Sequence, residues 1–477
     1  MVMTIDDDTA LVARLRALIG EKGTPQQARD PVNLATIRTW CDAMGEQNPV
    51  HTDPAAAARS PWGEIVAPSA MLGVWTLAGN VPRVLDPGCP RSRALSMLDE
   101  AGYPSVIGTD TEERYLRPLR LGEQLTGVLS LVEVSDQKTT GLGTGYFLTT
   151  LTEFANQQGE LVGTWKFRVF KFKPRVPTEE ELAKKQAQKE QLAKIPKHML
   201  VRPRPAVMKE TAFFWEGCKA GELRIQQCAA CAHLAHPPVV RCPACGGYDL
   251  RYTVASGKAT LHSYVEPVYP PMPFMTYPYV VGLVDLEEGT RLLTNIVHCP
   301  PDLVKVGMAL ELVFQETDPD MRLPMFRPAP PPQNAATLAY EDIQIGQALP
   351  LWPVEVTTRL IVAGALATRD FEDIHHEVAA ARRAGMKDLF MNVLTTNGLC
   401  SRYLGDWAGP QARVSGVKVR LGVPNVAGDT MTFSATVTDK QRLEGKGIVT
   451  LALRCSNSKG DHAKGDAMVE LPLGGKR

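Results

Sequence analysis

Gly45-Glu46-Gln47-Asn48-Pro49-Val50-His51 lies near the start of the chain, and Arg369-Asp370-Phe371-Glu372-Asp373-Ile374-His375 lies near its end. Each stretch follows a short run with helical character, residues 36–44 and 360–367, and each places a histidine five residues after an acid. An acid and a histidine held at a fixed offset are the least equipment needed to move two protons on one small molecule. The echo continues downstream. Gly122-Glu123-Gln124-Leu125-Thr126 matches Gly428-Asp429-Thr430-Met431-Thr432, and Asn156-Gln157-Gln158-Gly159-Glu160 resembles Asn457-Ser458-Lys459-Gly460-Asp461. Three matches in one order mean two copies of a domain with other sequence between them.

A length of 477 residues suits about three domains. Lys+Arg and Asp+Glu both number 52, so no general drive towards nucleic acid or an anionic membrane exists. The N-terminal stretch is acidic (Asp6-Asp7-Asp8), lacks the basic-then-apolar pattern of a signal peptide, and no run of about 18 apolar residues follows. A cytoplasmic protein is expected, with no membrane partner. Of the ten cysteines, four form two tight pairs and six are scattered, which reads as a metal site plus buried thiols in a reducing compartment.

Around the paired motifs the pattern predicts helix first, then antiparallel strands. Asp7 or Asp8 can cap a helix reaching about Ile19, residues 36–44 form a second, and Gly63 and Pro68 flank an apolar helix at 70–77. Strands follow at 124–134, 146–154 and 163–172. The second copy repeats this with a helix at 358–367, a long apolar helix at 388–403, and strands at 415–421, 430–438, 447–455 and 465–472. This order gives an α+β layer in which a long helix lies against a sheet. Residues 1–175 and 337–477 are the two copies. Residues 176–200 are a polar connecting helix, 201–328 a separate domain, and 329–336 a proline-rich linker. The inserted domain opens with a helix near 209–219 and continues with strands at 258–266, 278–286, 291–298 and 309–315.

Cys228-Ala-Ala-Cys231 and Cys242-Pro-Ala-Cys245 have the spacing of two zinc knuckles. Four thiolates close the coordination sphere of a zinc ion, so the site is structural rather than catalytic. His233 and His236, in the loop between the pairs, read as loop residues. A ribbon followed by a small barrel also suits nucleic acid, but residues 250–325 hold five basic residues against nine acidic ones, which repels phosphate. The apolar run Tyr269-Pro270-Pro271-Met272-Pro273-Phe274-Met275 reads as a protein docking surface or as a barrel loop packed on its own domain.

Gly45 through His51 resembles the signature of MaoC-like, hydratase-type hot-dog domains. Asp370 through His376 resembles its divergent form in steroid-CoA enoyl hydratases. Phe213-Phe214-Trp215-Glu216-Gly217, the four cysteines and Leu323-Pro324-Met325-Phe326-Arg327 resemble the DUF35 zinc-ribbon/OB-fold family. These resemblances cover nearly the whole chain. They imply a double hot dog with an inserted zinc-ribbon/OB-fold domain, and a fusion of what such steroid hydratases divide between two subunits. The implied activity is hydration of a bulky 2-enoyl-CoA, with a structural zinc, coenzyme A carried by the substrate, a thiolase-like aldolase docked on the DUF35 domain, and a homodimer. Alternatives are a hydratase or dehydratase for fatty or polyketide acyl thioesters, and a non-catalytic scaffold that binds CoA thioesters.

By this resemblance Asp370 and His375 hold the attacking water, and the backbone N–H of Asn392, in the first turn of the long helix, faces the thioester oxygen. The first copy departs from the pattern. Glu46 replaces the family's aspartate, and Val66-Ala67-Pro68-Ser69 replaces its His-Gly, with Pro68 lacking an N–H. A displacement of about 1 Å in a catalytic group costs on the order of 10²-fold. Activity is therefore expected in the second copy, with the first shaping the pocket. His376 is expected to point away from the pair.

Overall fold

Strand Ser105–Tyr115 runs antiparallel to strand Arg413–Leu421, with Glu112 opposite Lys418, and this pairing joins the two repeats into one sheet. The computed structural model describes residues 5–80, 86–195, 201–318, 320–443 and 445–474. From one edge inward the first repeat contributes Gln26–Gln27, Thr126–Val134, Gly143–Ala155, Leu161–Pro174 and Ser105–Tyr115. The second continues outward with Arg413–Leu421, Gly460–Leu471, Lys446–Asn457, Asp429–Leu443 and Trp352–Val356. The second order is the first in reverse, as two copies of one fold placed side by side require. A short strand, Lys138–Thr139, pairs with Gly143–Ala155 off this path.

The sequence echoes mark turns used twice. Gly122 and Gly428 have φ of 84° and 88°, a conformation glycine adopts without strain. Asn156 and Asn457 each accept a backbone N–H through the side-chain oxygen at a hairpin corner, from Gln158 and Lys459 respectively. Helix Leu34–Met44 is capped by Asn33, which accepts from the Thr36 N–H; helix Thr358–Ala367 is capped by Thr357, which accepts from the Leu360 N–H. Both helices are followed by a left-handed residue, Gly45 (φ 65°) and Arg369 (φ 59°). The next N–H then donates back into the helix, Glu46 to Cys41 O at 2.8 Å and Asp370 to Ala365 O at 2.9 Å.

Helix Val393–Ala408 lies against this sheet, and residues Leu394 through Ser401 are all buried. The polar side chains in this enclosed stretch are paired, Thr396 with His462 at 2.9 Å and Asn397 with Glu113 at 2.5 Å, as burial of a polar group requires. It begins later than residue 388, because the preceding residues are extended: Met391 N–H donates to Asn425 O and Ala427 N–H to Leu389 O. Among the described residues the first repeat has no long helix at the corresponding position. Where an apolar helix was expected at 70–77, two short 3-10 turns stand, Ser69–Met71 and Val74–Thr76. Pro68 gives no side-chain cap. Gly73 touches the Trp165 ring so closely that a Cβ would lie 3.3 Å from it, and Gly163 admits Leu72 where a Cβ would lie 2.6 Å away. The first helix is Ile5–Arg16, so Asp7 and Asp8 lie within it rather than at its cap. Helix Pro90–Glu100 and strands Ser105–Tyr115 and Met321–Pro328 were not expected.

The stretch between the repeats forms its own compact unit. Its polar helix Glu179–Lys194 precedes helix Ala212–Ala220. Strands Leu234–Ala235, Arg224–Cys228 and Leu250–Val254 make a small ribbon sheet. Strands Lys258–Val265, Val280–Leu286, Arg291–Ile296, Met321–Pro328 and Ala309–Asp318 close a five-stranded barrel of the OB kind. The α+β architecture expected from the sequence, two hot-dog layers with an inserted zinc ribbon and barrel, is the one present. Among the described residues no helix is long and apolar enough to cross a membrane.

Candidate active site and metal site

Asp370 directly follows the left-handed Arg369 that ends the turn after helix Thr358–Ala367, and His375 closes the 3-10 turn Asp373–His375. Nε2 of His375 stands 3.7 Å from Oδ2 of Asp370. Nδ1 of His375 donates to the carbonyl of Phe390 at 2.7 Å. A carbonyl only accepts, so the proton sits on Nδ1 and the lone pair of Nε2 faces Asp370. His375 is buried, while the Asp370 side chain keeps 20% exposure. His376 turns back on the same loop: its Nε2 donates to the carbonyl of Asp370 at 2.8 Å, and its ring stacks on Phe371. It braces the loop that carries Asp370.

Asn392 is the N-cap of helix Val393–Ala408, one residue before its first turn. Its Oδ1 accepts from the Thr395 N–H at 2.9 Å, and its Nδ2 donates to Asp370 Oδ2 and to Thr368 Oγ1, both at 3.0 Å. The Thr368 hydroxyl donates in turn to Gly364 O at 2.7 Å. The backbone N–H of Asn392 has no acceptor among the described residues. The structure thus brings Asp370, His375 and Asn392 together. Sequence reading missed Phe390, Thr368 and the bracing by His376. The spacing between each histidine and its carbonyl partner was the available signal.

The first repeat keeps part of this geometry. His51 Nδ1 donates to Val66 O at 2.7 Å, across the same fifteen residues that separate His375 from Phe390. That register aligns Pro68 with Asn392, and proline has neither an amide side chain nor an N–H. Glu46 folds back instead, accepting the Asn48 N–H on Oε1 at 2.8 Å. Among the described residues no ion pair links Glu46 to His51. Burial pushes the Glu46 carboxyl up, with Arg402 opposing, and lowers His51 to about 4. Arg402, on the long helix of the second repeat, donates to Met44 O at 2.7 Å and approaches Gly45 where a Cβ would lie 2.6 Å from Nη1. Burial and the nearby Glu46 raise its partner Asp406 to about 6.

A second buried acid lies at the joint between the repeats. Glu113 accepts the Tyr115 hydroxyl at 2.7 Å and the Asn397 amide at 2.5 Å, and burial raises it to about 6. Trp165 Nε1 donates to the neighbouring Thr111 hydroxyl.

In the inserted unit the four sulfurs of Cys228, Cys231, Cys242 and Cys245 lie within 4.8 Å of one another, with Cys228–Cys245 and Cys231–Cys242 both at 3.6 Å. Sulfurs about 2.3 Å from a central zinc stand about 3.8 Å apart in a tetrahedron. The cluster fits a zinc ion, which would pin the two knuckles of the ribbon and leave no open position. His236 packs on Phe214 and is not a ligand.

Residues 17–165 match the family described as FAS1-like, dehydratase domain region. Residues 215–251 match the ChsH2 rubredoxin-like zinc ribbon domain, and 252–315 the ChsH2 C-terminal OB-fold domain. The chain is 40% identical over 325 residues to a probable enoyl-CoA hydratase alpha subunit of Thermomonospora curvata, covering 68% of this chain and 98% of that one. It is 36% identical over 330 residues to the 3-oxo-4,17-pregnadiene-20-carboxyl-CoA hydratase alpha subunit of Mycobacterium tuberculosis, covering 68% of this chain and 98% of that one. To the beta subunit of the same hydratase it is 43% identical over 129 residues, covering 27% of this chain and 95% of that one. A solved MaoC-like dehydratase shares the fold at 17% identity and a TM-score of 0.50, covering 96% of this chain and 100% of that one.

Proposed function

Since the chain belongs to the family of these enoyl-CoA hydratases and matches both their alpha and beta subunits in one polypeptide, we propose that it hydrates a bulky 2-enoyl-CoA of steroid side-chain breakdown, with Asp370 and His375 as the reacting pair. The observation that carries this reading is the 3.7 Å gap between Asp370 Oδ2 and His375 Nε2. Two acceptors at that separation can each take a hydrogen bond of about 2.8 Å from one water. The pair takes a proton from the water as its oxygen bonds to Cβ, and returns it to Cα. The water's two hydrogens end on Cα and on the new hydroxyl. Charge gathers meanwhile on the thioester oxygen, and the N–H of Asn392 at the helix N-terminus is placed to receive it.

Two features favour a large acyl group. Among the described residues only short turns stand in the first repeat where the second has its long buried helix, and the relative from Mycobacterium tuberculosis is a 3-oxo-4,17-pregnadiene-20-carboxyl-CoA hydratase subunit. In the inserted unit the loop after strand Lys258–Val265 exposes Val268 at 82% and Tyr269 at 85%. We assign it the docking of a thiolase-like aldolase that cleaves the hydrated product. Both repeats come from one polypeptide, so the proposed homodimer is a matter of assembly rather than of completing the site. Free thiols throughout suit a cytoplasmic location.

The test is the loss of enoyl-thioester absorbance on adding purified protein to a steroid and to a short-chain enoyl-CoA. Consumption of the steroid thioester is expected, with slower consumption of the short one. The opposite preference would favour the fatty-acyl reading, and no consumption of either would favour the scaffold.

A further inference from the structure

We infer that Asn392 is a positioning residue for the hydration step, through its side chain and separately from its backbone N–H. The inference rests on the hydratase reading above. The Asn392 amide has one oxygen and one NH2 group, and the two face opposite demands. The oxygen caps helix Val393–Ala408 at the Thr395 N–H, at 2.9 Å. The NH2 group reaches back to Asp370 Oδ2 and to Thr368 Oγ1, at 3.0 Å each. A single side chain therefore fixes the start of the helix that presents the oxyanion donor and the carboxylate that faces the histidine. Asn392 is 3% exposed and Thr368 is 1% exposed, so water does not compete for these bonds.

The bond falls on the oxygen that matters. Oδ2 is the Asp370 atom that faces His375 Nε2. Among the described residues the other oxygen receives only a long contact from the Glu372 N–H, at 3.4 Å. Without the Asn392 amide, the carboxylate is free to turn about its terminal bond, a broad and weakly restrained rotation. The first repeat displays that outcome. Pro68 stands at the position of Asn392; Glu46 accepts the Asn48 N–H as Asp370 accepts that of Glu372, but among the described residues no ion pair joins Glu46 to His51. Loss of the amide accompanies loss of the paired geometry, although His51 keeps the orientation of His375.

Two substitutions separate positioning from capping. Asn392→Asp and Asn392→Ser both keep an oxygen that can cap the helix. Neither keeps the NH2 donor, and a serine hydroxyl is too short to reach Asp370. In each, kcat should fall by about 10²-fold with KM within about twofold, because the lost interaction orients a reacting group rather than binding substrate. Turnover is counted per folded molecule, because both substitutions also remove buried bonds to Thr368 and Asp370. In Asn392→Asp the acid limb of the pH–kcat profile should also move to higher pH, since the new carboxylate adds negative charge beside Asp370, whose Oδ2 faces His375 Nε2 while His376 bonds to the Asp370 backbone carbonyl. A crystal structure of Asn392→Ser reads the Asp370 carboxylate without any turnover, and the carboxylate should leave its place opposite Nε2. Unchanged kcat and an unmoved carboxylate would overturn the inference. So would an activity loss that merely follows a loss of folded protein, with the acid limb in place, since that is capping alone. A wild-type protein inactive on every enoyl-CoA would sink the hydratase reading instead, and the carboxylate's position would still decide the role of Asn392.

Discussion

Nε2 of His375 stands 3.7 Å from Oδ2 of Asp370. That is too long for a direct hydrogen bond and short enough for one water to touch both. The histidine is locked by its bond to Phe390 O and the aspartate by the Asn392 amide, so the gap is held from both sides. In the first repeat, among the described residues, no ion pair joins Glu46 to His51, and Glu46 accepts the Asn48 N–H of its own loop.

From this gap follows a clear inequality between the repeats. Asp370→Asn and His375→Ala should each lower kcat for enoyl-CoA hydration by about 10²- to 10⁴-fold, the usual contribution of a positioned acid or base. Glu46→Gln and His51→Ala should leave turnover per folded molecule largely intact. Initial rates of thioester absorbance loss check this, and the reverse pattern would move the active site to the first repeat.

Glu113 predicts a pH dependence of stability. Its folded pKa is raised from 4.5 to about 6 by burial. The neutral form is therefore favoured by folding: the associated stability is full below about pH 4.5 and is lost as pH rises through about 6. The loss amounts to roughly 2 kcal/mol by pH 7. In Glu113→Gln this loss is absent, so the variant's melting temperature should gain on the wild type between pH 4.5 and 7. A difference that stays constant across that range would contradict the raised pKa.

Metal content is a third point. The purified, thiol-reduced protein should carry one zinc per chain by elemental analysis. Cys231→Ser or Cys242→Ser should lose it and unfold the ribbon, because metal binding and folding are coupled in such small modules. Hydration should persist in these variants, since Asp370, His375 and Asn392 belong to the other compact unit.

The exposed loop of the inserted barrel gives a fourth. Val268→Asp with Tyr269→Asp should abolish co-purification with the thiolase-like aldolase while sparing hydration, because a charge placed in an apolar contact must be desolvated without a partner. An undiminished complex would put the docking surface elsewhere. Replacing the whole inserted unit by a flexible linker, long enough for the repeats to pair, provides the stronger version.

Local signals made much of this protein legible in advance. The two helices before the acids, the matched segments that begin at Gly122 and Gly428 and the two cysteine knuckles are short-range features whose chemistry is complete within a few residues. The repeat could be read because identical turns demand identical residues. Strand Ser105–Tyr115 escaped notice because it is the seam between the repeats. Its buried residues include Thr111 and Glu113, whose partners Trp165 and Asn397 are far away in sequence, so no alternation of apolar and polar residues marks it. Strand Met321–Pro328 was hidden by its prolines: Pro324 lies opposite Phe314, where the other neighbouring strand pairs only at Phe326, and Pro328 is the last residue of the strand.

The sequence by itself determined the two-copy organisation, the zinc ligands and the identity of the acid–histidine pair, because each is written in residues close together along the chain. Tertiary structure alone decided which pair keeps its geometry. Residues 70–77 are apolar enough for a helix, yet Gly73 must admit Trp165 and Gly163 must admit Leu72, and the segment breaks into two turns. The role of Asn392 was decided the same way. The sequence pattern sets it inside the first turn of a helix over 388–403; the structure makes it the N-cap of helix Val393–Ala408, and its second bond depends on where the loop from Arg369 to His375 comes to rest. Propensity acts within a few residues, whereas the direction of a carboxylate is set by whichever distant donor packing brings within 3.0 Å.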